Sequence, residues 1–163
     1  MATSIKNLSN YDKNIISNGA DYKIGIVVSE WNDQITEALL EGAKQIFIDH
    51  GVQDKHLTII HVPGAFELPI GAQSLLEQQK LDGILTIGAV IQGETKHFDF
   101  VCNGATEGIM QVMLNYNTPI SFCVLTDNNL QQSIDRSGGK HGNKGIECAV
   151  SLLKMIQLQR SLK

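Results

Sequence analysis

Hydrophobic positions along this chain fall into short solid blocks, separated by longer stretches where they recur every three or four residues. The solid blocks are "KIGIVVS" (23–29), "LTIIHV" (57–62), "DGILTIGAVI" (82–91) and "PISFCVLT" (119–126). Being apolar on both faces, they predict four strands buried inside a sheet. The spaced stretches predict helices. The first is capped by Asn32 or Asp33, carries Ile35, Ala38, Leu39, Ala43, Ile46 and Phe47 on its apolar stripe, and stops at Gly51. The second runs from Ala65 or Phe66 to Gln79, with Pro69 tolerated in its first turn. A third covers about 99–115, with Val101, Ala105, Ile109, Val112 and Met113 inward. A short helix at about 128–135 and a Gly-rich loop, "SGGKHGNKG" (137–145), precede the last, whose inner face holds Ile146, Ala149, Val150, Leu153 and Ile156.

Strand and helix alternate from end to end, which predicts an α/β fold: a flavodoxin-like three-layer α/β/α sandwich around a mainly parallel four-stranded sheet with right-handed crossovers. No linker or low-complexity tract divides it, so residues 21–163 read as a single domain. Residues 1–20 show no periodicity and are expected to form a flexible N-terminal arm, or a strand that extends a neighbour's sheet.

Composition narrows the classes. With 163 residues and 42% hydrophobic content the chain can bury one real core. A net charge of −4 argues against a nucleic-acid binder. No apolar run approaches the ~20 residues of a membrane span, and "MATSIKNLSNYDKN" lacks the apolar stretch of a secretory signal, so a cytoplasmic protein is expected. Three cysteines (Cys102, Cys123, Cys148) without a CxxC pair, and histidines without ligand spacing, suggest neither a disulfide framework nor a metal site.

Ligands of such folds bind beyond the carboxyl ends of the strands. There the chain places Ser29-Glu30-Trp31-Asn32, Pro63-Gly64-Ala65-Phe66-Glu67, Gln92-Gly93-Glu94-Thr95-Lys96-His97 and Thr126-Asp127-Asn128-Asn129. Gly93 allows close backbone approach to a ligand, and residues 94–96 lie just before a helix, where free N–H groups and the dipole favour an anion. His97, with an ordinary pKa of ~6.5, suits proton transfer near neutrality. Arg136, one of only two arginines, stands before the Gly-rich loop and can fork onto phosphate oxygens or serve as a solvated helix-end cation. Lys144 and Glu147 are spaced to pair. Trp31 can stack on a flat heterocycle or belong to the core, and Glu67 can hold hydroxyl groups or merely complement a helix dipole.

Together "EWND", "VPGAFELP", "GAVIQGETKHFDFV" and "IDRSGGKHGNKGIECA" resemble the 6,7-dimethyl-8-ribityllumazine synthase family over about residues 22–160. The resemblance implies condensation of 5-amino-6-(D-ribitylamino)uracil with 3,4-dihydroxy-2-butanone 4-phosphate, without metal or cofactor. It implies that Trp31 stacks on the pyrimidine, that Asn32 contacts the ring, that Ala65, Phe66 and Glu67 lie along the ribityl chain, and that the backbone of Ala89, Val90 and Ile91 reads the pyrimidine edge. Glu94 and Thr95 match the phosphate loop, with Glu94 contributing through its backbone. His97 matches the proton-transfer residue and Arg136 the main phosphate cation. Phe122, Lys144 and Glu147 complete the pocket, with Phe122, Arg136 and Lys144 supplied by a neighbouring subunit. A homo-oligomer follows: a pentamer, and, given the short 137–143 loop, a 60-subunit shell, with riboflavin synthase as a candidate partner.

Three rivals stand beside this. An archaeal-type riboflavin synthase would need no phosphate site, against Gly93–Thr95 and Arg136. A non-catalytic flavin or lumazine carrier, or a pure shell protein, would have no use for His97. A receiver domain requires an Asp at the end of the third strand, where this chain has Gln92-Gly93.

Overall fold

The computed structural model describes residues 7–16 and 18–162. The first six residues of the expected arm lie outside the described residues. Four parallel strands form the sheet: β1 (Ile24–Ser29), β2 (Leu57–Val62), β3 (Gly83–Ile91) and β4 (Ile120–Asp127), in the order β2-β1-β3-β4. Five helices surround or border it: α1 (Asp33–Asp49), α2 (Leu68–Gln78), α3 (His97–Asn115), α4 (Leu130–Arg136) and α5 (Lys144–Ser161). The expected three-layer α/β fold is thus found. The step from β1 to β2 runs one way across the sheet and the later steps run the other. Crossovers of one hand then put α1 on the opposite face from α2 and α3.

Two cores result. Ile24, Ile26 and Val28 of β1, Leu85 and Ile87 of β3 and Cys123 of β4 pack with Leu39, Phe47, Leu152 and Leu153 of α1 and α5. Strand alternation sends Val27, Ile84 and Val124 to the other face, against Leu68, Ala72, Ile109 and Val112 of α2 and α3. The sequence reading of β2 as fully buried is corrected: it has β1 on one side only and is partly exposed along its length. Other bounds also shift: α2 begins at Leu68, after a 3-10 turn over Ala65–Glu67, rather than at 65 or 66, and α4 covers 130–136 rather than 128–135. Helix α3 starts at His97 rather than 99, and the Gly-rich segment is a small antiparallel hairpin, β5 (Ser137–Gly139) and β6 (Gly142–Asn143), which ends where α5 begins.

Residues 7–16 contain a single 3-10 turn, Lys13–Ile15, and rest on their own chain: Ile16 is buried, and Tyr11 Oη lies 3.2 Å from His50 Nε2. Cys123 and Cys148 are buried and Cys102 half-buried. A hydrogen bond with Cys148, together with burial, holds the Cys123 thiol well above its ordinary range, which suits a packing residue rather than a nucleophile.

Candidate functional site

The order of connections reverses between β1 and β3, and a cavity of about 750 Å³ opens there at the carboxyl ends of the strands. Strand lengths create it. The pairing of β3 with β1 stops at Ile87, while its pairing with β4 continues to Ile91. Over its last residues β3 therefore has a partner on one side only, and the other side of its backbone faces the cavity.

Above that floor, the end of β1 continues along the end of β2 through Glu30 N–H to Val62 O (2.8 Å) and Trp31 N–H to Pro63 O (3.2 Å). This holds Trp31 beside the 63–67 turn with its ring in the open: it is 72% exposed, which excludes the core reading. Asn32 then reverses the chain in the left-handed region, at φ 63°. Asn32 stands at the N-cap of α1, one of the two positions expected, but its Oδ1 accepts no cap bond; its Nδ2 donates to the Ala89 carbonyl at 2.8 Å, tying the end of β1 to the cavity floor.

The second wall is the 3-10 turn Ala65–Glu67 and the first turn of α3. They approach closely because α3 has glycine at 104 and 108: a Cβ at Gly104 would strike the Phe66 ring, and one at Gly108 would strike Pro69. Phe66 is thereby fixed as a wall, with 60% of its surface exposed. At the mouth stands the 92–97 loop. No other group lies within 4 Å of where a Cβ of Gly93 would project, so its backbone is accessible. Thr95 Oγ1 accepts from His97 N–H at 3.3 Å, leaving its own hydroxyl hydrogen free to donate outward. His97 opens a 19-residue helix whose first-turn N–H groups and dipole favour an anion.

Eleven of the residues singled out in the sequence line this one cavity: Trp31, Asn32, Ala65, Phe66, Glu67, Ala89, Val90, Ile91, Gly93, Thr95 and His97. Glu94 is exposed in the loop beside it without lining it. Phe98 and Phe100 also line it and were missed; Val101, read as core-facing, packs against the core as expected and lines the cavity as well. The signal was available, since "HFDF" puts two aromatics directly after the histidine.

Phe122, Arg136, Lys144 and Glu147 do not line the cavity. They gather around β4, the far edge of the sheet. Phe122 lies on that strand, and its carbonyl accepts from Cys148 Sγ of α5. Arg136 ends α4, where Nη1 donates to Gln132 O (3.0 Å) and Nε lies 3.9 Å from Asp127 Oδ1. Lys144 Nζ and Glu147 Oε1, at 2.6 Å, form the pair expected from their spacing. Among the described residues no cluster of three or more His, Cys, Asp or Glu is arranged to hold a metal ion, and no helix is long and apolar enough to cross a membrane.

Comparison with known proteins gives a consistent picture. A family model described as 6,7-dimethyl-8-ribityllumazine synthase matches residues 21–160. The 6,7-dimethyl-8-ribityllumazine synthase of Flavobacterium johnsoniae is 56% identical over 160 residues, spanning 98% of this chain and 84% of the relative. Its counterpart in Christiangramia forsetii is 53% identical over 164 residues, covering 100% of this chain and 98% of the relative. That of Lactiplantibacillus plantarum is 46% identical over 145 residues, with 89% and 91% covered.

Proposed function

The chain belongs to the 6,7-dimethyl-8-ribityllumazine synthase family, and we propose that it catalyses that condensation, as a transferase in riboflavin biosynthesis, in the cavity between Trp31 and His97. The observation that carries this is the convergence of an exposed aromatic, an open strand backbone and an anion-favouring helix start in one cavity. The pyrimidine stacks on Trp31 and is read by the β3 backbone and the free Oδ1 of Asn32. The ribityl chain runs along Ala65 and Phe66, with Glu67 accepting its hydroxyl hydrogens. The phosphate sits at Gly93–Thr95, held by backbone N–H groups and the Thr95 hydroxyl.

The substrate supplies its own nucleophile, so the protein needs no activated side chain. The 5-amino group attacks the ketone carbon and water leaves, giving a Schiff base. Loss of a proton and of phosphate yields an enol, which tautomerises. The ribitylamino nitrogen then closes the ring with loss of a second water. The sum is one lumazine, one phosphate and two waters. Catalysis rests mainly on holding two reactants in contact, with His97 moving protons at the carbinolamine and enol stages.

A phosphate dianion beside Glu67 and Glu94 requires compensating positive charge. Arg136 is the residue assigned to this, and its place at the β4 edge, together with Phe122 and Lys144, supports supply from an adjacent copy. A pentamer, closed into a 60-subunit shell, is the assembly we assign, in the cytoplasm, with riboflavin synthase as the consumer of the product. The test is to mix the protein with both substrates and follow lumazine absorbance and free phosphate. Equal molar release of the two is expected, and no release of either refutes the assignment.

A further inference from the structure

The hairpin formed by β5 and β6 joins the two assigned cations: Arg136 immediately precedes it and Lys144 immediately follows it. An isolated two-stranded hairpin is marginal by itself, and this one has an irregular register between Ser137 and Gly139. Its position must come from its surroundings. On the inner side Asn143 donates from Nδ2 to Ala38 O of α1 (2.8 Å) and accepts at Oδ1 from Gly145 N–H (2.8 Å), capping α5. His141 N–H donates to Asp135 O (2.9 Å).

The outer side is covered by the N-terminal segment. Leu8 N–H donates to His141 O (2.8 Å), and Ser9 Oγ accepts from Asn143 N–H (3.0 Å). Ser9 is itself set by a turn, its N–H donating to Asn7 Oδ1 (2.8 Å). Packing gives an independent sign of the same contact. Gly142 adopts φ 84°, and a Cβ there would collide with Asn7 Oδ1 and with Ser9 Oγ and N. Arg136 has little else to fix it: a carbonyl of its own helix and a distant carboxylate.

We propose that residues Asn7–Ser9 form a positioning clamp, which through Asn143 and His141 sets where Arg136 and Lys144 stand and so tunes affinity for the phosphate-bearing substrate. This rests on the phosphate role assigned to Arg136. Ser9 acts through another residue and touches no reactant.

The test compares Ser9→Ala, Ser9→Thr, Leu8→Pro and Arg136→Ala as full-length assemblies, with KM measured separately for each substrate. Loss of one hydrogen bond in the clamp should raise KM for the butanone phosphate about two- to tenfold. KM for the pyrimidine and kcat should stay near wild type. Ser9→Thr, which restores the acceptor, should recover the wild-type value, and Leu8→Pro, which deletes the other bond, should reproduce the defect. Unchanged phosphate-substrate KM in both Ser9→Ala and Leu8→Pro, with Arg136→Ala defective, overturns the clamp while leaving the phosphate role intact. Parallel loss of kcat, both KM values and thermal stability overturns it in favour of a merely structural contact. An Arg136→Ala enzyme with wild-type kinetics removes the phosphate role itself.

Discussion

Substitutions at Asn32 separate two physical effects that meet in one residue. Its backbone is left-handed (φ 63°, ψ 45°), and its side chain donates the 2.8 Å bond to the Ala89 carbonyl. A Cβ in that region costs about 1–2 kcal/mol, from which asparagine is partly relieved by local hydrogen bonding. The lost hydrogen bond costs about 0.5–1.5 kcal/mol. Asn32→Ala suffers both losses and should destabilise by about 1.5–3 kcal/mol. Asn32→Gly suffers only the lost bond, offset by the relieved backbone and worsened by the flexibility of glycine in the unfolded chain, so about 1 kcal/mol. Asn32→Asp sets an acceptor against an acceptor and should be no better than glycine. In a chain of this size each kcal/mol moves Tm by about 2–4 °C. The order of Tm values should therefore be wild type, then glycine, then alanine, measured at one protomer concentration because the proposed assembly would make Tm concentration-dependent. All three should raise KM for the pyrimidine. If glycine destabilises as much as alanine, the left-handed backbone carries no cost; if aspartate matches wild type, the bond to Ala89 carries none.

His97→Ala should lower kcat by about 10- to 100-fold yet leave measurable turnover, since positioning of the two substrates survives; single-turnover lumazine formation checks this, and a wild-type rate removes the proton-transfer role. Acid stability should respond to Asp135, whose carboxyl is held below its ordinary range first by the hydrogen bond from Gln131 and then by that from Lys140. Because the folded value is depressed, the stabilisation is full above the unfolded carboxylate range and is lost as pH falls through the lower folded value. Unfolding midpoints of Gln131→Leu should accordingly drop less steeply than wild type on acidification, and identical slopes would remove Asp135 from the acid limb.

The strands were legible because short solid apolar blocks, rich in β-branched residues and bounded by polar and turn residues, favour buried strands over helices: β2 was placed to the residue, and β1, β3 and β4 to within one. The edge position of β2 was not legible, since strand order depends on crossovers and not on the strand's own composition. The cavity was legible for a chemical reason. Trp31, Phe66 and the Gly93 loop are residues that a buried core does not call for, and all of them fall where strands end. Where local patterns fell short, long-range bonds were the reason. Asn32 does stand at the N-cap of α1, but that its Nδ2 also reaches the Ala89 carbonyl, 57 residues away, has no local signal. The 137–145 segment looked like loop because its glycines carry no pattern; its order comes from Ala38 and from Ser9, 134 residues from Asn143.

The separation of the cavity from Arg136 and Lys144 has a consequence that a single-copy site would not have. In a ring built by a head-to-tail contact, each chain gives one neighbour its cavity and the other neighbour its β4 edge. A chain crippled in the cavity by His97→Ala still offers a sound cationic edge, and a chain crippled by Arg136→Ala still offers a sound cavity. Co-assembled at equal amounts after joint refolding, about one quarter of the junctions should combine the sound halves, if the two chains mix at random in such a ring. The mixed assembly should then show about a quarter of wild-type activity, well above the mean of the two separate variants. Mixing the preformed assemblies without exchange should give only that mean, which controls for simple addition. Co-assembled chains that never exceed the mean would place the cation and the cavity of each site in the same subunit.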